Sequence, residues 1–210
     1  MTKLIIFDID GTIVDAYGAI RNSLNYARRK FGYKDVGMNM VKRSIGHGDR
    51  NFVKTFFKGK DVEPALEIYR KHHEKALLTD SRVLPCARQV LNRLHRKGYK
   101  LAVVSNRPKK FSLILLKRLG LLKYFDMVEC AKNKRELKPR PALIIKTIRH
   151  LKAKRTETIY VGDLAIVVKA GRNAGVRTIA VLGGSSSRTE LKREKPCRII
   201  SNLCEILDIK

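Results

Sequence analysis

The chain has 210 residues and 46 Lys plus Arg against 19 Asp plus Glu, a formal charge of +27. That length allows one ordinary domain, or one with a modest insertion, and its 44% hydrophobic content excludes a disordered chain. No apolar run reaches the roughly 18–20 residues of a membrane span, and the N-terminal run Leu4-Ile5-Ile6-Phe7 ends in acids rather than at a leader cleavage site.

Residues 4–9 are a short apolar run that reads as a buried strand. Residues 16–31 set Ile20, Leu24, Ala27 and Phe31 at helical spacing, closed by Gly32. Helical patterning continues over 38–45, 51–57 and 62–78, and no strand pattern interrupts 16–80. After a turn at Pro85 the pattern changes. Helices are predicted over 87–97, 109–119, 140–151, 167–174 and 201–207, and strands over 100–105, 125–130, 158–161, 177–182 and 198–200. Alternation of this kind predicts an α/β fold with a doubly wound, Rossmann-like parallel sheet covered on both faces. The expected division is a core from 1–15 and 81–210, with 16–80 inserted as an all-helical cap. That cap would lie over the carboxyl edge of the sheet, where open α/β sheets bind ligands.

The most informative stretch is Phe7-Asp8-Ile9-Asp10-Gly11-Thr12. Two carboxylates stand two residues apart where a buried strand runs out, and Gly11 lets the backbone curl there. Burying two like charges is costly unless a cation or hydrogen-bond donors compensate, and hard divalent cations such as Mg²⁺ take oxygen ligands of this kind. The pattern resembles the first motif, Asp-x-Asp-x-Thr, of the haloacid dehalogenase superfamily. The resemblance covers essentially the whole chain. Val103-Val104-Ser105-Asn106 is similar to the second motif, Lys138 in Leu137-Lys138-Pro139-Arg140-Pro141 to the third, and Tyr160-Val161-Gly162-Asp163 to the fourth.

The resemblance implies phosphoryl-transfer chemistry. Asp8 would be the nucleophile that forms an aspartyl-phosphate, and Asp10 the acid and then base. Ser105 would donate to a transferring oxygen, Lys138 would balance charge, and Gly11, Thr12 and Asn106 would line the phosphate site. Mg²⁺ would be held by Asp8, the Asp10 backbone carbonyl and Asp163. The carboxylate at Asp10 favours phosphate chemistry over dehalogenation. One departure stands out: the second acid usual in the fourth motif is replaced by Val167 and Val168, and the small polar residue after Gly-Asp by Leu164.

The helical insert resembles that of the phosphoglycolate phosphatases and small pyrophosphatases. Ser44-Ile45-Gly46-His47-Gly48 is similar to a glycine-rich substrate loop, with Arg43, His47 and Arg50 as candidates for gripping a second anion. The expected function is therefore Mg²⁺-dependent hydrolysis of a small phosphomonoester such as 2-phosphoglycolate. A pyrophosphatase, a nucleotide phosphatase, or a weakly active relative binding a polyanion such as RNA are the alternatives.

Residues 17–80 hold 14 basic and 7 acidic residues, and 81–210 hold 31 and 9. The basic clusters Arg107-Pro108-Lys109-Lys110, Lys132-Asn133-Lys134-Arg135, Lys152-Ala153-Lys154-Arg155 and Lys192-Arg193-Glu194-Lys195 read as solvated surface before a nucleic-acid groove. Cys86, Cys130, Cys197 and Cys204 fit neither a zinc knuckle nor a disulfide framework, and read as free thiols in a reducing cytoplasm.

Overall fold

The computed structural model describes residues 2–208. In chain order the elements are β1 (Leu4–Phe7), β2 (Val14–Asp15), α1 (Tyr17–Lys30), α2 (Met38–Ser44), α3 (Asp49–Phe56), α4 (Val62–Thr79), β3 (Arg82–Val83) and α5 (Ala87–Arg96). They continue with β4 (Lys100–Ser105), α6 (Lys109–Arg118), β5 (Met127–Cys130), α7 (Ala142–His150), β6 (Thr158–Gly162), α8 (Ala165–Ala174), β7 (Arg177–Val181), α9 (Arg188–Arg193) and β8 (Arg198–Ile200).

Six strands form one parallel sheet in the order β5-β4-β1-β6-β7-β8. The central strand β1 is wholly apolar because both faces of a parallel sheet are covered. Side chains alternate across it. Ile5 and Phe7 join Leu101, Val103, Ile159 and Val161 in a core with Val90 and Leu94 of α5 and Leu115 of α6. Leu4 and Ile6 join Ala102, Val104 and Tyr160 on the other face, against Ile144 of α7 and Ala170 of α8. Helices α1 to α4 carry a separate cluster that includes Tyr17, Leu24, Val41, Phe52 and Tyr69.

The structure adds elements that periodicity does not reveal. The ribbon β2–β3 pairs Val14 with Val83 and Asp15 with Arg82, so the chain leaves for the helical segment and returns from it at one place. Two residues per strand are too few to show alternation. Helix α9 is likewise absent from the predicted elements, although Ser187 and Glu190 form a full capping box at its start. Strand β1 stops at Phe7 rather than residue 9, because the Ile9 carbonyl accepts from the amides of Thr12, Ile13 and Val14 in a tight turn. The predicted last helix is a 3₁₀ segment, Leu203–Asp208.

The cysteine expectation needs correction. Cys86 and Cys204 are joined by a disulfide that ties the Leu203–Asp208 segment to the start of α5. Their Cα atoms are 5.4 Å apart although 118 residues separate them in sequence, so spacing along the chain carried no trace of the pairing. Cys130 and Cys197 are free, the first buried and the second exposed.

Candidate active site

The parallel register sets Phe7 beside Val103 and Val161, so the three central strands end together. Asp8 lies one residue beyond β1, Ser105 ends β4 and Asp163 lies one residue beyond β6. All three side chains are buried. Lys138 reaches them from the loop between β5 and α7, and its Nζ lies 2.7 Å from Asp8 Oδ2. The Asp8 Oδ1 also accepts from the amide of Ile9 at 2.9 Å. Asn106 orients the lysine loop: its Oδ1 accepts from the Lys138 amide at 2.8 Å, and its Nδ2 donates to the Gly46 carbonyl at 2.7 Å. One side chain therefore joins the core loop to the glycine loop between α2 and α3.

Asp163 is fully buried and held by three donors. Thr12 Oγ1 and the Tyr17 hydroxyl each donate to it at 3.2 Å, and the Ser185 amide donates at 2.7 Å. Gly11 and Gly184 flank the carboxylate so closely that a methyl group at either position would collide with it. Burial, and then the charge of Asp8, push the Asp163 carboxyl up to about 7. Lys138 pulls the other way, as does the bond from Ser185. Two converging buried carboxylates with a single buried ammonium are short of positive charge.

Asp10 is held differently. Arg107 Nε donates to one Asp10 oxygen at 3.0 Å and Nη2 to the other at 2.6 Å. The third nitrogen, Nη1, donates to His73 Nε2 at 2.9 Å. His73 is stacked on Tyr69, and its Nδ1 faces Ser23 Oγ at 3.2 Å. Burial, reinforced by the Arg107 charge, holds His73 well below the ordinary histidine range, so the ring is a neutral acceptor toward the guanidinium. A cavity of about 70 Å³ opens between these groups, with Asp8, Asp10, Ser105, Asn106, Arg107 and Lys138 along its polar side.

A family model described as Haloacid dehalogenase-like hydrolase matches residues 5–181, which include Asp8, Asp10, Ser105, Arg107, Lys138 and Asp163. The chain belongs to the haloacid dehalogenase-like hydrolases. It is 32% identical over 182 residues to a phosphoglycolate phosphatase of Aquifex aeolicus, covering 87% of this chain and 85% of that protein. It is 33% identical over 206 residues to a protein of Caldanaerobacter subterraneus named "Putative pyrophosphatase PpaX", covering 98% and 93%. A crystal structure from Haemophilus somnus, described as a predicted phosphoglycolate phosphatase, superposes with a TM-score of 0.92 at 25% identity over 99% of this chain and 97% of that one.

This haloacid dehalogenase-like hydrolase has an apolar residue where the second acid of the fourth motif is usual. Val167 sits under Gly162, in the core cluster that contains Tyr160 and Ala170. Val168 packs with Ala180 and Leu191. Both valines are core residues of α8, and Asp163 takes its support from Thr12, Tyr17 and Ser185 instead. Leu164 points at the glycine loop, close enough to meet a side chain at Gly46.

Of the three residues expected to grip a second anion, none lines this cavity. Arg43, His47 and Arg50 are exposed, and Arg50 is ion-paired to Glu63. His47 and Arg50 line a neighbouring groove with Lys109, Lys132 and Lys134. Arg107, read from sequence as part of a solvated basic cluster, is buried in the site. Arg107, His73, Tyr17 and Ser185 are residues that sequence reasoning passed over. Arg107 had one signal: it stands two residues after Ser105, at the carboxyl edge where ligands of such sheets bind. The two α-helical residues had none.

Proposed function

We propose that this hydrolase is a Mg²⁺-dependent phosphatase that cleaves a small phosphomonoester, 2-phosphoglycolate or a close relative, through an aspartyl-phosphate on Asp8. The observation that carries the reading is the buried Asp8–Lys138 pair at the end of the central strand, with Asp163 converging on it. The likeness to the phosphoglycolate phosphatase of Aquifex aeolicus supports the substrate class.

Asp8 Oδ attacks phosphorus, and the bond to the ester oxygen breaks as Asp10 delivers a proton to it. Asp10 then takes a proton from water as that water displaces Asp8 from phosphorus. In this proposal Ser105 Oγ–H and the Lys138 ammonium donate to the equatorial oxygens, where the negative charge of phosphoryl transfer is spread. Water is excluded by the apolar residues of the helical segment that close the cavity from the other side.

The donor set fits a hard cation. Two buried carboxylates, with Asp163 raised first by its burial and then by the charge of Asp8, are what a divalent ion relieves. The ion would rest on Asp8, Asp163 and the Asp10 carbonyl, the set that the motif resemblance implies. When bound, Mg²⁺ supplies charge neutralisation of the phosphoryl group and of the two carboxylates.

Residues 16–80 act in this proposal as a cap domain on a core of 1–15 and 81–210, hinged at the β2–β3 ribbon. No helix among the described residues is long and apolar enough to cross a membrane. A cytoplasmic location is part of the proposal. Pyrophosphate is the second candidate substrate, favoured by the 33% identity to the Caldanaerobacter protein. The test is phosphate release from 2-phosphoglycolate, pyrophosphate, nucleoside monophosphates and an aryl phosphate, with and without Mg²⁺. The proposal expects Mg²⁺-dependent release, fastest on 2-phosphoglycolate and abolished by Asp8→Asn. Folded protein that releases phosphate from none of them overturns it.

A further inference from the structure

The way Arg107 is held points to what the leaving group carries. Among the described residues, Arg107 and Lys138 are the only Lys or Arg side chains lining the cavity. Lys138 is already committed to Asp8. The acid Asp49, which also lines the cavity, is committed to Arg70 at 2.6 Å. Much of the remaining lining is buried and apolar, with Ile20, Ile45, Phe52, Tyr69 and Phe111. A negatively charged leaving group would find one cation there, and that cation is Arg107.

The guanidinium is already in the geometry that reads a carboxylate. Its Nε and Nη2 span both oxygens of Asp10, the fork arrangement that distinguishes arginine from lysine. Yet an Asp10 with both oxygens accepting from Arg107 is turned to the guanidinium and has one lone pair left on each oxygen. Release from the fork lets the carboxyl swing to the ester oxygen. Breaking the pair without a replacement strands a buried cation, which is strongly unfavourable. A second carboxylate would remove that penalty. His73 makes the exchange workable, because its bond to Nη1, backed by Ser23 and the Tyr69 ring, keeps the guanidinium in place while the other two nitrogens change partner.

We infer that Arg107 is the specificity-determining residue for a phosphomonoester bearing a carboxylate a few bonds from the ester oxygen, and that this carboxylate takes the place of Asp10 in the guanidinium fork and so frees Asp10 for acid–base work. This inference rests on the phosphatase reading above and deepens it. Substrates without the carboxylate leave Asp10 clamped. Selectivity is therefore expressed in turnover as well as in binding.

The test compares 2-phosphoglycolate with ethyl phosphate, which lacks the carboxylate, in the full chain with Mg²⁺. Wild type is expected to favour 2-phosphoglycolate by about 100-fold in kcat/KM, the scale of losing one buried charge partner. In Arg107→Ala the ratio is expected to fall below about ten, through a loss on 2-phosphoglycolate and an unchanged or higher rate on ethyl phosphate, for which Asp10 is no longer clamped. Added guanidinium ion restores part of the loss on 2-phosphoglycolate alone. Where Arg107→Ala does not fold, Arg107→Lys carries the same test, since it keeps the charge but cannot span two oxygens. A wild-type enzyme that hydrolyses both esters without preference overturns the inference and leaves the phosphatase reading standing. So does a variant that loses both activities in equal proportion. No release from either ester, or from the wider panel, overturns the phosphatase reading and the inference with it.

Discussion

Replacing Lys138 by Met tests the charge balance of the site before any chemistry is measured. The Lys138 and Asp8 side chains are 2% and 6% exposed, and their charged atoms are 2.7 Å apart. Removing one member of so buried a pair leaves the other charge uncompensated, which costs about 3–5 kcal/mol. Here the penalty sits at the upper end, because Asp163, raised first by burial and then by the charge of Asp8, is a second carboxyl that Lys138 helps to lower. For a chain of this size each kcal/mol moves the melting point by about 2–4 °C, so metal-free Lys138→Met should melt about 10–20 °C below wild type. Thermal melts at pH 8 in a chelator, read by circular dichroism, measure this. Asp8→Asn combined with Lys138→Met removes both charges and should recover part of the loss, with a coupling of about 2–3 kcal/mol. A single variant melting within about 2 °C of wild type, or a strictly additive cycle, would refute the reasoning.

Three further outcomes follow from the same contacts. Asp163 sits at about 7 when folded against an ordinary value of about 3.9, so the metal-free folded state holds an extra proton between those values. Stability from this group is therefore greatest in acid and is lost as pH rises through 7, by about 4 kcal/mol in all. His73 acts in the opposite sense, since its depressed value makes the folded state gain stability as pH rises toward 6.5. The difference between wild type and Asp163→Asn in chelator isolates the aspartate, and a difference flat with pH contradicts it. Tyr17→Phe removes one of the three donors on Asp163 and should raise the Mg²⁺ concentration for half-maximal activity by about 10-fold, measured by metal titration; an unchanged requirement contradicts that role. Val167→Asp, which restores the acid missing from the fourth motif, should lower stability by about 3 kcal/mol or more rather than tighten metal binding, because position 167 faces the core under Gly162. Denaturant unfolding and the same metal titration check both halves, and a tighter metal requirement in a stable variant contradicts the placement.

The sheet was readable because its strands obey simple rules. Leu4 to Phe7 are apolar on both faces, and Lys100–Ser105 matches its predicted bounds residue for residue. Asp8, Ser105 and Asp163 stand at or just past strand ends that the parallel register brings to one edge, whereas Lys138, in the loop after β5, was reached only through the motif resemblance. What escaped depends on long-range approach. Arg107 looks in sequence like the start of Arg107-Pro108-Lys109-Lys110, and only the position of Asp10 and His73 makes it a buried partner. His73 and Tyr17 lie on helices whose inward faces read as ordinary packing positions. Cys86 and Cys204 meet only once the C-terminal segment docks on α5. Val167 and Val168, an absence in the motif, became two core side chains of α8.

The central claim is that Asp8 carries the phosphoryl group. Turnover of 2-phosphoglycolate stopped with acid within the first catalytic cycle, followed by mass analysis of the peptide containing Asp8, tests it directly. The account predicts a phosphoryl adduct on that peptide, dependent on Mg²⁺ and absent from Asp8→Asn. Phosphate released at the full rate with the adduct on another residue, or by Asp8→Asn itself, would contradict it.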